Sequence, residues 1–281
     1  MKKGMLVIFV VLFTVSMAYT AFGATFSYYS NYLFSKSDAK VSNDSETDDP
    51  EPLSVWNYLE VESVRDAKIS NGDISAYGYG HGIAEPSENT LSIYMEDNVL
   101  GMSNDTNSYI EAHNSVSTRG FATPGIFFQI TPENGTGENK GDPVQINLTW
   151  RGDLTTSEGT SGHLSGGGGG DAIAVTLNDC PSSKPLENVV WSHERINRSN
   201  GNDFHDSDNG HFMAVIGDIV GIHMDSNVNL YWNGEGYEIG ASASQNLNME
   251  VNAVPIPGAV WLLGSGLFGL VAVRRRRNKI S

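Results

Sequence analysis

The stretch Val144–Arg151 reads VQINLTWR, and its apolar and polar residues alternate without a break. Successive side chains of a β-strand point to opposite faces of the sheet, so this alternation places all the apolar residues on one face. That face carries Val144, Ile146, Leu148 and Trp150. The stretch predicts a strand with one side in a hydrophobic core and the other in water.

Comparable short apolar runs recur along the chain, among them GIFFQI, AIAVTL and NVNLYW. Asn-Gly, Asp-Pro and Pro-Gly pairs separate such runs, and these pairs favour turns between short antiparallel strands. No window carries a convincing apolar stripe at helical spacing. We predict an all-β protein whose folded region, residues 53–252, is an antiparallel β-sandwich of jelly-roll type.

The first residues, MKKGMLVIFVVLFTVSMAYTAFGA, have the organisation of a secretory signal peptide. Two lysines precede an apolar run, and the small residues Ala21 and Gly23 have the spacing of a signal-peptidase site. We predict a signal peptide over residues 1–23 that is cleaved after Gly23. An uncleaved membrane anchor is the alternative, although the apolar run is short for a span of about 20 residues.

Residues 24–52 begin with aromatic residues and continue as a polar, acidic segment. Ser35–Pro52 contains almost no large apolar side chain, so it offers little surface to bury against the entropy of ordering. We predict a flexible acidic leader over residues 24–52.

The charge of the protein is strongly negative and concentrated in its middle. All 33 acidic residues lie between Asp38 and Glu250, and the formal net charge is −16. Such a surface repels phosphate groups, so nucleic acid is excluded as a partner. The single cysteine, Cys180, cannot form a disulfide within the chain, so burial and strand pairing must hold the fold together.

The last residues, 253–281, have three parts in a fixed order. The sequence VPIP at Val254, Pro255, Ile256 and Pro257 comes first, an uncharged apolar segment follows, and Arg274, Arg275, Arg276 and Arg277 stand near the end. A helix from Gly258 to Val273 would be about 24 Å long, slightly short for a bilayer core of about 30 Å. We predict a C-terminal transmembrane helix whose arginines stop transfer at the cytoplasmic face.

This tail resembles the PEP-CTERM family of sorting signals, most closely its VPLPA-type variant. The matching parts are the Val-Pro-x-Pro motif, the segment Trp261–Leu270 and the arginine cluster. Ile256 stands where the parent motif has glutamate, and Gly258 stands where the variant usually has alanine.

The resemblance implies an address for the protein. It implies that the protein first stays in the inner membrane as an intermediate, where an exosortase, a membrane protease, recognises the tail. It then implies sorting to the cell surface or extracellular matrix of a Gram-negative bacterium. Such proteins are associated with exopolysaccharide or biofilm matrix. The alternative for the tail is a plain C-terminal membrane anchor.

The densest polar stretch, His193–His211, raises the question of a metal site. It contains His193, Glu194, Asp203, His205, Asp206, Asp208 and His211. The spacing matches neither a zinc-protease helix nor a calcium loop of the EF-hand type, although carboxylates would suit calcium better than zinc. We favour a solvated acidic loop and no cofactor, with bound calcium as the alternative.

No catalytic motif is evident, and we predict a structural or adhesive protein that is not an enzyme. The alternative is a carbohydrate-binding or carbohydrate-active domain displayed by the same tail. Exposed aromatic rings on a sandwich face can stack on sugars, although core packing is the more common role of such residues. The candidates are Trp56, Trp191, Trp232, Tyr77, Tyr79 and Tyr237.

Overall fold

The structure, a computed structural model, describes residues 23–42, 47–69, 73–119, 125–133, 139–165, 172–179 and 186–254. Within these ranges every regular element is a β-strand and every strand pairing is antiparallel. No helix in this part of the chain could cross a membrane. The prediction of an all-β, antiparallel sandwich is confirmed.

One layer of the sandwich is a six-stranded sheet, named here the front sheet. Its strands, in spatial order, are β15 (Phe204–Val215), β10 (Pro143–Thr156), β18 (Gly236–Ala253), β7 (Thr90–Ser103), β6 (Ile74–Pro86) and β5 (Glu60–Ile69).

Two further sheets face the front sheet. The seven-stranded one contains, in spatial order, β14 (Ile196–Ser199), β11 (Thr160–Ser165), β17 (Asp225–Asn233), β8 (Tyr109–Arg119), β2 (Tyr32–Ser42) and β3 (Thr47–Asp48), with β4 (Leu53–Asn57) also paired to β2. The five-stranded one contains β1 (Ala24–Ser30), β9 (Ile126–Pro132), β16 (Ile219–His223), β12 (Ala172–Leu177) and β13 (Val189–Glu194).

These two sheets form one bent layer, named here the back layer. The spatial order β14-β11-β17-β8-β2 in one sheet matches β13-β12-β16-β9-β1 in the other, and each pair of counterparts is consecutive in sequence. The chain crosses the bend through single residues at Asn31, Met224 and Arg195. Asn31 has a φ of 77°, a left-handed conformation that asparagine tolerates better than most residues.

One hydrophobic cluster fills the space between the front sheet and the back layer. The predicted inward face of β10 is confirmed, because Val144, Ile146, Leu148 and Trp150 are all buried, Trp150 completely. Burying a large apolar side chain contributes about 1.5–3 kcal/mol. The apolar residues of this alternating sequence therefore belong to the hydrophobic core that stabilises the protein.

The prediction of a flexible leader over residues 24–52 is wrong. β1 pairs with β9 and β2 pairs with β8, so much of this segment is part of the back layer. β2 alternates like the other strands, with Leu33, Ala39 and Val41 buried. Its pattern was hidden because Ser35 and Ser37 occupy the inward positions between them and are themselves fully buried.

The first and last strands reach the same end of the sandwich, named here the base. β18 ends at Ala253, which pairs with Val144 at the start of β10, while β1 begins at Ala24 and also contacts β18. The opposite end, named here the tip, contains the turn Ser157–Gly159 between β10 and β11. At the tip, the backbone N–H of Ser157 donates to the carbonyl oxygen of Gly240 at 3.0 Å.

Candidate functional site

The outer face of the front sheet carries polar residues with tyrosines among them. Strand register aligns Tyr79, Asn98, Ser242 and Thr155 in one row across β6, β7, β18 and β10. The next row toward the tip aligns Tyr77 and Leu100 with Gly240. Because all these side chains sit at outward positions, they share one open surface.

These two rows form an open groove of about 500 Å³, named here the tyrosine groove. Its side chains come from four strands of the front sheet, and they are Tyr77, Tyr79, Asn98, Leu100, Thr155, Glu238 and Ser242, together with Gly240.

Gly240 is required for the shape of the groove. A Cβ atom at this position would lie 2.7 Å from Cδ2 of Leu100 and 2.8 Å from the carbonyl oxygen of Val99. Real Cβ atoms do not approach so closely, so a larger residue would displace Leu100 or the backbone of β7. Leu100 is 46% exposed and presents an apolar surface beside Tyr77.

Hydrogen bonds hold the polar side chains around the groove in place. The hydroxyl groups of Thr155 and Ser242 lie 2.6 Å apart. Asn98 donates through Nδ2 to Oε1 of Glu96 at 3.0 Å, and the Tyr94 hydroxyl donates to Oε2 of the same carboxylate at 2.9 Å. The groove is therefore a preorganised surface of hydroxyl, amide and aromatic groups.

The tyrosines near the groove remain neutral hydrogen-bond donors. Burial raises the pKa of Tyr79, and the carboxylates of Glu62 and Glu96 raise it further. Burial, followed by the hydrogen bond to Glu96, raises the pKa of Tyr94 to about 12. Both phenols keep their protons at any physiological pH.

The structure separates the six aromatic candidates. Tyr77 and Tyr79 lie in the groove. Trp191 and Trp232 are half-buried and pack against the core, each with its ring beside a glycine. The side chains of Trp56 and Tyr237 lie outside the described part of the structure.

The stretch His193–His211 is not an acidic loop, and that prediction is wrong. It includes the end of β13, all of β14 and the first part of β15. Its polar residues form separate pairs, with Nε2 of His193 3.4 Å from Oδ2 of Asp206, and Nδ1 of His205 2.8 Å from Oδ1 of Asp153. In the described ranges no group of three or more His, Cys, Asp or Glu side chains is placed to hold a metal ion.

Asp153 shows how these surface pairs affect titration. Burial alone would raise its pKa, but hydrogen bonds from Arg151 and His205, with their charges, outweigh burial and lower the pKa. Arg151 donates through Nε to Oδ2 of Asp153 at 2.9 Å. This cluster lies on the outer face of β10, near the edge of the front sheet.

The groove residues that the sequence did not indicate are Asn98, Leu100, Thr155, Glu238, Gly240 and Ser242. They carry the polar contacts and the apolar wall, yet each is ordinary in its local sequence. Only the pairing of β7 with β6 and β18, and of β18 with β10, brings them beside the tyrosines.

The predicted processing segments lie mostly beyond the described residues. Val254 is described and its backbone N–H lies 3.5 Å from the Pro143 carbonyl oxygen. The predicted signal peptide before Gly23, the motif residues Pro255–Pro257, Arg274–Arg277 and Cys180 are outside the described ranges.

No protein-family model matches the chain, and no curated protein matches it either.

Proposed function

We propose that the protein is an exported component of a cell-surface or extracellular polysaccharide matrix, and that it binds a neutral polysaccharide through the tyrosine groove. Its role is structural or adhesive. The observation that carries the proposal is the groove itself, in which two outward tyrosines and an exposed leucine lie beside fixed amide and hydroxyl groups.

The chemistry of the groove suits a sugar ring. A pyranose offers apolar C–H faces and a rim of hydroxyl groups, so it needs an apolar platform with donors and acceptors beside it. Tyr77, Tyr79 and Leu100 supply the platform, while Asn98 and Ser242 supply the polar partners. The net charge of −16 favours an uncharged glycan over an acidic one.

The order of the strands also indicates a finer fold class. Between β7 and β18 the chain passes repeatedly from one layer to the other, and the front sheet has the order β15-β10-β18-β7 while the back layer has the order β14-β11-β17-β8. We infer a jelly roll, because this order corresponds to two interleaved Greek keys of eight strands. β5 and β6 extend the front sheet, and β1 and β2 extend the back layer.

The ordered domain fits between the two proposed processing sites. Cleavage after Gly23 would leave β1 intact, since that strand begins at Ala24. The sorting motif begins at Val254, immediately after β18 ends at Ala253. We propose that an exosortase processes an inner-membrane intermediate near this motif, in a Gram-negative host.

The position of the groove supports display away from the membrane. Ser242 precedes Ala253 by 11 residues on β18, which corresponds to about 36 Å of extended strand. The groove therefore lies near the tip while the tail leaves from the base. A polysaccharide could reach the groove whether or not the tail had been cleaved.

The binding proposal predicts that Tyr77→Ala combined with Tyr79→Ala weakens binding at least tenfold, which corresponds to about 1.4 kcal/mol. The loss follows from removing the aromatic platform and leaving the polar groups in place. The measurement is affinity electrophoresis of the purified protein in gels containing exopolysaccharide from the producing organism.

Tyr29→Ala is the matched control, because Tyr29 is 50% exposed and lies on β1 in the base half of the molecule. It should migrate like the wild type. Equal retardation of the double variant and the wild type would rule out the groove as the binding site.

The sorting proposal is tested by the intact mass of the protein recovered from cells and medium, with and without the host exosortase. Protease-dependent loss of the residues beyond about Pro257 would support processing. An intact tail in the inner membrane in both strains would instead mean a plain anchor and would remove the matrix assignment.

We propose binding without catalysis and without a cofactor. Two carboxylates lie at the groove, Glu238 in its lining and Glu96 beside it, and both oxygens of Glu96 already accept hydrogen bonds from Tyr94 and Asn98. New reducing ends after incubation with the polysaccharide would contradict this and favour a carbohydrate-active enzyme. A fall in melting temperature with chelator would favour the calcium alternative.

A further inference from the structure

A second depression lies on the opposite surface of the molecule, on the outer face of the back layer. It has a volume of about 550 Å³ and is formed by β11, β14 and β17 with the residues after β14. It is named here the amide pocket, and its polar side chains are Ser161, His163, Asn197, Arg198, Ser199, Asn202 and Asn229. The guanidinium of Arg198 is already engaged, because it donates to the Asn197 carbonyl oxygen at 2.8 Å and lies 5.0 Å from the centre of the Phe204 ring.

The amide pocket contains hydroxyl and amide groups in the arrangement of a cross-strand ladder. β11 pairs Ser161 with Ser199 of β14 on one side and with Asn229 of β17 on the other. Each amide can both donate and accept, and so can each hydroxyl. No Asp or Glu side chain lines the pocket among the described residues.

Several of these side chains are already held in position. Asn229 donates through Nδ2 to Oδ1 of Asn227 at 2.6 Å, and its own oxygen contacts Nδ1 of His113. Asn202 donates through Nδ2 to the carbonyl oxygen of Ser199 at 2.7 Å. Fixed side chains lose little conformational entropy when they bind a ligand.

An exposed aromatic ring lies two residues along β17 from Asn229 of the pocket. Tyr231 follows Asn229 by two residues on β17, so both side chains lie on the outer face of the back layer. The side chain of Tyr231 is 53% exposed. Burial and the nearby Glu111 raise the pKa of Tyr231, so its phenol stays protonated.

The pocket also lies at the tip, like the tyrosine groove. Ser161 is at the start of β11, two residues after the turn that ends β10, while Thr155 of the groove is at the end of β10. The sandwich separates the two surfaces, since facing sheets are about 10 Å apart.

From this geometry we infer that the amide pocket, with Tyr231 at its margin, is a second binding site for an uncharged glycan, and that one molecule bridges two polysaccharide chains. The inference rests on the proposed function, because it assigns the same ligand class to a second surface. Hydroxyl groups of the glycan replace water on the amides of the pocket, and Tyr231 provides a stacking surface. Bridging gives the matrix role a physical basis. A protein with two sites cross-links polysaccharide chains, whereas a protein with one site only binds to a single chain.

The test combines binding with cross-linking, using the purified protein and exopolysaccharide from the producing organism. Binding is measured by affinity electrophoresis, and cross-linking by the increase in light scattering when protein is added to the dissolved polysaccharide. The pocket variant is Ser161→Ala with Asn197→Ala. The groove variant is Tyr77→Ala with Tyr79→Ala.

The matched control is Ser207→Ala with Asn209→Ala. These residues are exposed on β15, an edge strand, and line neither site, so the control removes the same chemical groups elsewhere. Far-ultraviolet circular dichroism and melting temperature establish that each variant is folded.

We expect the wild type and the control to bind and to increase scattering. The pocket variant and the groove variant should each still bind, at least tenfold more weakly, and each should lose the increase in scattering. Scattering from the pocket variant equal to that from the wild type would overturn the second site and leave the groove proposal standing. Absence of binding by the wild type would overturn both proposals.

Discussion

Two neighbouring residues of β7, Glu96 and Asp97, carry carboxyl groups into opposite environments. Glu96 points outward beside the tyrosine groove and accepts hydrogen bonds from Tyr94 and Asn98. Asp97 points inward, is fully buried, and accepts hydrogen bonds from Ser226 and from Nδ2 of Asn114. The same strand thus supplies a residue of the outer surface beside the proposed binding groove and a polar residue of the core.

The inner group belongs to a continuous set of buried polar side chains, named here the inner polar network. Asn114 accepts a hydrogen bond from Ser37, whose hydroxyl lies 2.7 Å from that of Ser63. The network reaches across five strands of both layers, and its members are Ser35, Ser37, Ser63, Asp97, Asn114 and Ser226.

Similar polar residues have different roles on the inner and outer faces of the front sheet. Inside, each group depends on a partner from another strand, so a wrong register would leave buried polar groups unpaired at a cost of about 1–3 kcal/mol each. Outside, water can replace any lost partner, so those positions can be used for binding at little cost to the fold. The inner polar network stabilises one register, and the outer face carries the proposed binding surface.

The largest expected effect comes from Asp97→Ala. It removes the acceptor for Ser226 and Asn114 and leaves a cavity, so the free energy of unfolding should fall by about 3 kcal/mol or more. The measurement is urea denaturation followed by tryptophan fluorescence.

Asp97→Asn is the control for this variant, because it preserves the shape and one acceptor oxygen. It should lose clearly less stability than Asp97→Ala. Equal losses would show that the missing acceptor oxygen accounts for the effect and that the volume of the side chain does not.

A smaller effect is expected from Gly80→Ala on β6. A Cβ atom at Gly80 would lie 2.6 Å from Oγ of Ser35 and 2.9 Å from Cγ2 of Val116, with Nδ2 of Asn114 closer still. Overpacking of this kind costs about 1–3 kcal/mol, measured by the same denaturation.

Gly78→Ala is the matched change on the same face of the same strand. The nearest atom to its Cβ would be the Asp38 carbonyl oxygen at 3.3 Å, so its effect should be smaller. If Gly78→Ala proved as costly as Gly80→Ala, close approach to the inner polar network would not explain why glycine occupies position 80.

The fold class could be predicted from the sequence, because the local alternation of Val144, Ile146, Leu148 and Trp150 with polar residues indicates a half-buried strand. It failed for β2, because the inward positions Ser35 and Ser37 look like solvent-facing residues until their partners are known. Ser63 and Asn114, which satisfy them, lie 26 and 77 residues from Ser37. Long-range pairing of polar groups leaves no local pattern.

The groove was predictable only in part for the same reason. Tyr77 and Tyr79 were recognisable as residues that could stack on a sugar. Their neighbours Leu100 and Gly240 lie on strands that pair through register, and β18 follows β7 by more than 100 residues. Side-chain type can be read from the sequence, whereas the surface it belongs to depends on strand order.

The smallest expected effect on stability is that of Asp153→Asn. The pH dependence of stability distinguishes Asp153, on the outer face, from Asp97, on the inner face. Burial raises the pKa of Asp97 well above its usual value, although Ser226, Asn114 and the backbone of Val116 oppose the shift. Its proton is therefore bound more tightly in the folded state, so its contribution to stability is complete below pH of about 4 and is lost as the pH rises. Asp153 has a lowered pKa, so its contribution is present above that pH and is lost as the pH falls.

Asp97→Asn and Asp153→Asn should therefore change the pH dependence of the free energy of unfolding in opposite directions. Asp97→Asn should remove a decline in stability between acidic and neutral pH. Asp153→Asn should cost at most about 1 kcal/mol at pH 7, because its partners are exposed, and less at pH 3. Denaturation of both variants and the wild type at pH 3, 5 and 7 measures the two slopes. Slopes of the same sign would mean that burial does not distinguish the two carboxyl groups, and the contrast between the inner and outer faces would fail.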